Sequence, residues 1–592
     1  MADVQVKDIY DSVRLPLLGG PQRSASSSTT NGSGDQLMIN CFSQASQNPV
    51  NGEKEMWVTK RPGLERVVNQ DFTSILGAVS STCFANITIT QLNDVYVAGI
   101  YDATNTKFVI IQYRPITNTN TKIGEITGVS GFDQLFITEL TIANTAYIGV
   151  VWNSQNGTTS KGYYAASAGG VFGAGSLTEI TDVDFPPKAG SPLPLVGPMV
   201  QMNGTTYVLT NTGIIAGSDL NSITSWNSLN QVQAISYPDQ GVALCRYKNY
   251  ILCFGEDSIE FFSDVGNPAP LSALQRQEQA FIKFGTTTAK SVLGVDDTVF
   301  WLGRSSSGAT GLWRMDGFTP VKVSGPVEDQ IIEYNAPNSG RYNNHHLVCI
   351  SVLGQKNIII GGCVFRPGLL CSAPSTVNST DPNGLTNSLS TNSGTLTFNI
   401  PEQQFWGFKL ASSYDTAQTS IPIATAQYQL NNTDTSTQWI ILGGMGFPNA
   451  NIGAYFYKYG VDSHYWTDEL STSTAVTRVR QCFPVVYQVN RWMAGNQKRK
   501  RVHKYHLLFE PFESFASDPE TGAYLWFLYA KDTWAPVAGT SYARSVAIPN
   551  SFGRFYVQNL GSSRTWLLGW ASMNRMSMRF RGIELDLSQG ST

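Results

Sequence analysis

The chain has 592 residues, enough for several domains, and 42% hydrophobic with 11% aromatic residues from which to build a sizeable core. Only 14% of residues are charged, against about 25% in an average soluble protein, yet no apolar run approaches the ~20 residues that span a bilayer. Polarity comes instead from Ser, Thr, Asn, Gln and 54 glycines, and a net charge of −3 argues against a tight nucleic-acid binder, which shows a basic excess.

The N-terminal stretch MADVQVKDIYDSVRLPLLGG places acidic residues before its only short apolar patch, unlike a secretory signal. The tract RSASSSTTNGSGDQ that follows buries too little to fold alone. Residues 1–45 are therefore expected to form an extended arm with a Ser/Thr/Asn/Gly linker. From about residue 70 the pattern is strands and turns. VYVAGIYDA (95–103) and KFVIIQYRP (107–115) read as one hairpin, and AYIGVVWNS (146–154) and TTYVLTNTGIIAGSD (205–219) continue it.

The stretch YKNYILCFGEDSIEFFS is the clearest case. Ile251 to Phe254 run continuously apolar, Gly-Glu-Asp suits a bend, and Ile259, Phe261 and Phe262 follow it. DTVFWLGRSSSGATGLWRMDG (297–317), HLVCISVLGQKNIIIGG (346–362) and WIILGGMGFPNANIGAYFYKYGVD (439–462) repeat the scheme of strand, Gly-containing turn and strand. The apolar centres recur roughly forty to fifty residues apart, the period of propeller blades. Phe254 and Trp301 lie in continuous apolar strands and are expected between sheets; Phe261 and Trp313 complete the expected structural core. LSALQRQEQAFIKFG (271–285) is the one helix of note that the pattern predicts.

Residues 364–436 are rich in Ser, Thr, Asn, Pro and Gly and interrupt the rhythm. They are expected to project from the body as a long insertion, its distal tip included. After about 478 the strands alternate and arginines become frequent. The expected class is all-β. A β-propeller-like body spans 46–363 and closes over 437–478, the insertion occupies 364–436, and a β-sandwich-like platform occupies 479–592.

Little in the sequence points to chemistry. Cys245, Cys253, Cys349 and Cys363 sit inside or beside apolar runs and read as small core hydrophobes in a chain folded in a reducing cytoplasm. Cys363 and Cys371, which flank a short loop, are the alternative pairing. His345 and His346 are adjacent, so in a strand they face opposite sides. His464, His503 and His506 lack ligand-spaced partners. Asp296-Asp297 and Glu256-Asp257 fall at turns, which they shape and solvate. No nucleophile elbow or phosphate-binding loop is present. No catalytic residue, metal or cofactor is expected. The one basic cluster, KRKRVHK, is a solvated turn or a contact to a partner; Lys498, Arg499, Lys500 and Arg501 are the candidate docking residues.

The runs GVALCRYKNYILCFGEDSIEFFSDVGNPAP and GVDDTVFWLGRSSSGATGLWRMDGFTPVKVSGPVEDQII, with KRPGLERV before them and GAYFYKYGVDSHYWTDE after, resemble the packaged-DNA stabilisation proteins. Those proteins form the tail hub, or nozzle, of short-tailed bacteriophages. The resemblance is strong over about 235–335 and includes a helix start at PVEDQII. It implies a virion tail protein, assembled in the host cytoplasm as a six-fold ring below the portal and its adaptor. Such a ring continues the DNA channel, retains the packaged genome and conducts it during ejection. The implied partners are further copies of the chain, the portal adaptor, tailspikes or tail fibres, a tail needle or plug, and passing double-stranded DNA. The alternative is a propeller that binds receptors or degrades glycans, in which two carboxylates meet across a central channel.

Overall fold

The computed structural model describes residues 11–15, 37–47, 54–66, 83–92, 95–365 (apart from 103–104, 115–116, 118, 131–132, 155–156, 189–190, 269, 287, 306–309 and 336–344), 394–408, 423–430, 437–443, 455–459, 468–469, 480–489 (apart from 482 and 484), 498–510, 524–531, 541–547, 554–572 and 577–589. Among these residues the chain is built of strands, with one α-helix, Pro326–Asn335, and one short 3-10 turn, Ala289–Ser291.

Seven consecutive antiparallel sheets account for the middle of the chain. Blade 1 begins with strand Cys83–Leu92, blade 2 with Gln134–Ile142, blade 3 with Leu195–Met202 and blade 4 with Gly241–Tyr247. Blades 5, 6 and 7 begin with Val292–Val295, His346–Val352 and Ile423–Leu430. Each first strand packs beside the first strand of the next blade, and that of blade 7 packs beside that of blade 1. The circuit is therefore closed, and the body is a seven-bladed propeller. Its closure is non-local. The fourth strand of blade 7 is Leu64–Arg66, from the N-terminal part of the chain, paired antiparallel with Tyr455–Tyr459.

This architecture explains why the middle strands of the blades are continuously apolar. A blade is sandwiched between two others, so both faces of its strands are buried. Within Tyr250–Gly255, Ile251 and Cys253 pack toward blade 3, while Leu252 and Phe254 pack toward blade 5. Within Thr298–Ser305, Val299 and Trp301 face blade 4, and Phe300 and Leu302 face blade 6. The period of two is intact, with both phases apolar.

The first turn of a blade is a two-residue hairpin: Ala143-Asn144, Asn203-Gly204, Lys248-Asn249, Asp296-Asp297 and Leu353-Gly354. The first residue of each has a positive φ, between 46° and 53°, and at Asn144, Gly204 and Gly354 the second does too, as type I′ turns require. First and third turns share one end of the propeller because the strands alternate in direction; second turns and blade-to-blade connections share the other. At the first-turn end, side chains tie blades together. Gln201 Nε2 donates to the Thr141 carbonyl at 2.6 Å, Asn203 Nδ2 donates to Asp264 at 2.6 Å, and Lys356 pairs with Asp296.

Most of the remaining strands form a β-sandwich beside blades 6 and 7. One sheet has the order Cys41–Gln47, Lys54–Lys60, Arg579–Gln589, Lys500–Phe509, Arg554–Ser563, with Asp11–Leu15 also on Arg579–Gln589. The other extends blade 6: Leu37–Ile39 runs parallel to its last strand, Gln404–Phe408, and leads to Val485–Gln488, Trp566–Ser572, Tyr524–Lys531 and Ser541–Ala547. Phe42, Tyr505, Phe580 and Leu585 of the first sheet meet Tyr487, Phe527, Leu568 and Trp570 of the second in one core.

Three expectations are corrected by this pairing. Residues 271–285 are not helical: Leu274–Ile282 is the outer strand of blade 4. It has one open face and few apolar residues, and the free edge of Ile259–Asp264 overrides its helical composition. The expected arm, residues 1–45, contributes three sandwich strands, and Lys54–Lys60 belongs to the sandwich, not to the propeller. The expected insertion, 364–436, does not project as a whole. Gly394–Asn399 and Gln404–Phe408 complete blade 6, and Ile423–Leu430 opens blade 7. Its polar composition misled because the polar side chains are used inside: Asn399 Nδ2 donates to Gln355 Oε1 at 2.7 Å, and Trp406 Nε1 donates to Asn357 Oδ1 at 3.0 Å. Residues 366–393, the core of the expected tip, and Cys371 lie outside the described residues.

Candidate functional site

The four candidate docking residues separate in the structure. Lys498, Arg499 and Arg501 are exposed at the start of strand Lys500–Phe509, whereas Lys500 is only 2% exposed. Alternation along the strand turns Lys500 inward, and burial lowers its ammonium pKa from the usual lysine range. Lys500 is therefore withdrawn from the docking surface. Phe254, Phe261 and Trp301 are wholly buried, and Trp313 is partly buried at the edge of the same core, its ring 4.4 Å from that of Phe284.

The outer face of the six-stranded sandwich sheet carries Arg501, Lys504, Arg554, Arg579 and Arg581, with Tyr556 half exposed among them. Carboxylates offset part of this charge. Arg554 pairs with Glu584 at 2.9 Å and Arg581 with Glu510 at 2.8 Å. His506 lies between the Asp586 carboxylate, at 3.3 Å, and the Tyr556 ring.

The joint between propeller and sandwich is built on residues that composition alone did not single out. Lys60-Arg61-Pro62-Gly63 connects a sandwich strand to the closing strand of blade 7. Arg61 is completely buried. Its Nε donates to Asn40 Oδ1 at 2.9 Å and its Nη1 to the Pro62 carbonyl at 3.0 Å. Its guanidinium lies 3.7 Å from the Phe483 ring centroid and 4.5 Å from that of Phe408. Asn40 itself, at φ +54°, receives the Arg61 N–H on its carbonyl and donates its own N–H to Gly407. One guanidinium thus holds the N-terminal segment, blade 6 and the sandwich together. A planar cation with a fixed fork suits this place, stacking on two rings while donating in plane.

At the propeller axis, the turn Ala289–Ser291 touches the first strands of blades 3, 4 and 6. Lys290 in this turn lies 6.0 Å from the Phe136 ring of blade 2, and burial pulls its pKa down to about 7. His345, at the entry to blade 6, is held neutral: burial first, and then the neighbouring His346, lowers its pKa to about 4. Among the described residues no group of three or more His, Cys, Asp and Glu is placed to hold a metal ion. Cys41, Cys245, Cys253 and Cys349 are free thiols, and burial raises the pKa of each out of the reactive range. No described helix is long and apolar enough to cross a membrane.

No curated protein matches the chain. Among solved structures, BamB from Moraxella catarrhalis is 11% identical with a TM-score of 0.29, over 68% of this chain and 98% of its own. The computationally designed protein Ika8 is 11% identical with a TM-score of 0.28, over 64% and 99%. Residues 193–341 match the family described as bacteriophage P22 Gp10, beta-propeller. That span begins just before the first strand of blade 3 and runs through blades 4 and 5 and the helix Pro326–Asn335, so the match falls on whole blades. It supports a structural protein of a bacteriophage tail.

Proposed function

We propose that the chain is the nozzle subunit of a short phage tail, forming a ring that continues the DNA channel, retains the packaged genome and conducts it during ejection. The observation that carries this reading is the family match over blades 3–5. The construction agrees with a mechanical part. From blade 1 to blade 6 neighbouring faces are packed against each other, the circuit is closed by a distant strand, and a buried arginine staples the sandwich to the body. The duplex would run through the centre of the ring and not along the propeller's own axis, where Ala289–Ser291 sits among the first strands. The reading is non-enzymatic. Its partners are further copies of the chain, a portal adaptor on one side, and tailspikes, fibres or a plug.

Electron microscopy of the phage particle, with an epitope tag at the exposed Lys498–Arg499, tests the reading. A tagged ring on the tail axis below the portal supports it. A tag found on peripheral fibres supports the receptor-binding alternative instead.

A further inference from the structure

We propose that the first-turn end of the propeller docks on the outer face of the six-stranded sandwich sheet of a neighbouring copy. This rests on the ring reading above and names the two surfaces that would build the ring.

The first surface is apolar where a solvated end would be polar. Leu220 is 69% exposed, Leu271 59%, Phe318 51%, and Val265 and Leu353 45% each. All five lie in first or third turns of blades 3 to 6, and therefore on one end. Those of blades 3 to 5 are also linked across the blade boundaries. Leu220 lies over the Asn203-Gly204 turn, Asn203 is bonded to Asp264, and Val265 follows Asp264. Phe318, from blade 5, reaches over blade 4, its ring centroid 5.3 Å from those of both Tyr250 and Phe261. An apolar patch shared by several blades marks an interaction surface, whereas single scattered residues do not. Leu353 adds a second signal. It sits at φ +49°, a conformation that Gly or Asn adopts at less cost, and its side chain is nevertheless large and apolar.

The second surface is chosen by charge. Around the patch stand Asp219, Asp264, Asp297 and Asp316, with Arg246, Lys248 and Arg314 opposing them, while Asp296 and Lys356 neutralise one another. The balance is acidic, which disfavours DNA as the occupant. The outer face of the sandwich sheet has the opposite balance, with Arg501, Lys504, Arg554, Arg579 and Arg581 against Glu510, Glu584 and Asp586, and the half-exposed Tyr556 as an apolar anchor. The two surfaces differ and lie on different parts of the chain. Their contact is heterologous, the kind that closes into a ring when the rotation permits.

The test is sedimentation velocity over a concentration series, with thermal melts to establish that each variant is folded. Reversing one side, by D297R with D316R or by R501E with K504E, is expected to raise the concentration at which rings form about tenfold or more. Combining all four changes on one chain is expected to restore assembly. Replacing Leu271 and Phe318 by Ser is expected to weaken it without a change in net charge. Rings that form equally well in both one-sided reversals overturn the docking faces and leave the ring reading standing. A wild-type chain that sediments only as a monomer at every concentration overturns both.

Discussion

Arg61 carries its positive charge into a completely buried joint. The two rings and the two in-plane acceptors offset the cost of that burial, and all four contacts are lost together if the side chain is shortened. Hydrogen bonds to charged groups are worth about 1.5–3 kcal/mol and a desolvated cation–π contact ~2 kcal/mol. Arg61→Ala is expected to lower stability by roughly 3–5 kcal/mol, and Arg61→Lys by somewhat less, since the ammonium keeps the charge but loses the fork. Chemical denaturation monitored by tryptophan fluorescence measures both; a lysine variant as stable as the parent would show that the planar fork is unnecessary. His345 offers a pH readout. Its folded pKa of about 4 lies below the ordinary value near 6.5, so the unfolded chain binds more protons between those values. Stability is therefore full above about 6.5 and falls as pH drops toward 4, by on the order of 3 kcal/mol for this group. His345→Gln should flatten that part of the melting-temperature profile relative to the parent. Parallel profiles would mean that His345 is not held neutral by burial.

At the scale of the element, a blade is only as legible in sequence as its surroundings allow. The second and third strands read clearly, because burial on both faces makes stretches such as Ile251–Phe254 and Val299–Leu302 continuously apolar. Outer strands such as Leu274–Ile282 carry no such signal, since one side faces solvent. The strands from the N-terminus were illegible for a different reason: Asp11–Leu15 and Leu64–Arg66 make sense only against Arg579–Gln589 and Tyr455–Tyr459, far along the chain. The same holds for the joint, where Asn40, Arg61, Phe408 and Phe483 meet from four separate segments; KRPG stood out only through its resemblance to other proteins. The repeat was present in the turns, at Asn203-Gly204 and Leu353-Gly354, but Ala143-Asn144, Lys248-Asn249 and Asp296-Asp297 do the same work with other residues. Two predictions belong at this scale. Trp301→Ala or Phe254→Ala empties a fully buried site between blades 4 and 5 and should cost roughly 3–5 kcal/mol; a variant melting like the parent would displace these residues from the core. Glu65→Pro places a residue without an N–H in the closing strand of blade 7. It should lower the melting temperature and expose blade 7 to proteolysis before blades 2 to 5, and uniform cleavage would argue against closure by this strand.

The described residues form a closed propeller with a sandwich on its flank, and on the basic face of that sandwich Arg554 and Arg581 are paired with Glu584 and Glu510. On the nozzle reading proposed above, containment of a genome by such a wall would be steric. Adhesion to duplex DNA scales with the phosphates that Lys and Arg neutralise, and each such contact steepens the dependence on salt. The basic face of the sandwich is partly offset by Glu510 and Glu584, and the propeller end nearest balance is acidic. On that reading a duplex would slide past without being held, as ejection needs, and retention would come from a narrowing or a plug in the bore. The purified protein is expected to bind a short random duplex no tighter than ordinary non-specific association, a Kd of about 10⁻⁴–10⁻⁶ M at physiological salt. Fluorescence anisotropy of a labelled duplex across a salt series measures this. Binding tighter than that range, with a steep salt slope abolished by R501E with K504E, would show that the sandwich face grips DNA, and the wall would then hold the genome by adhesion and not by closing around it.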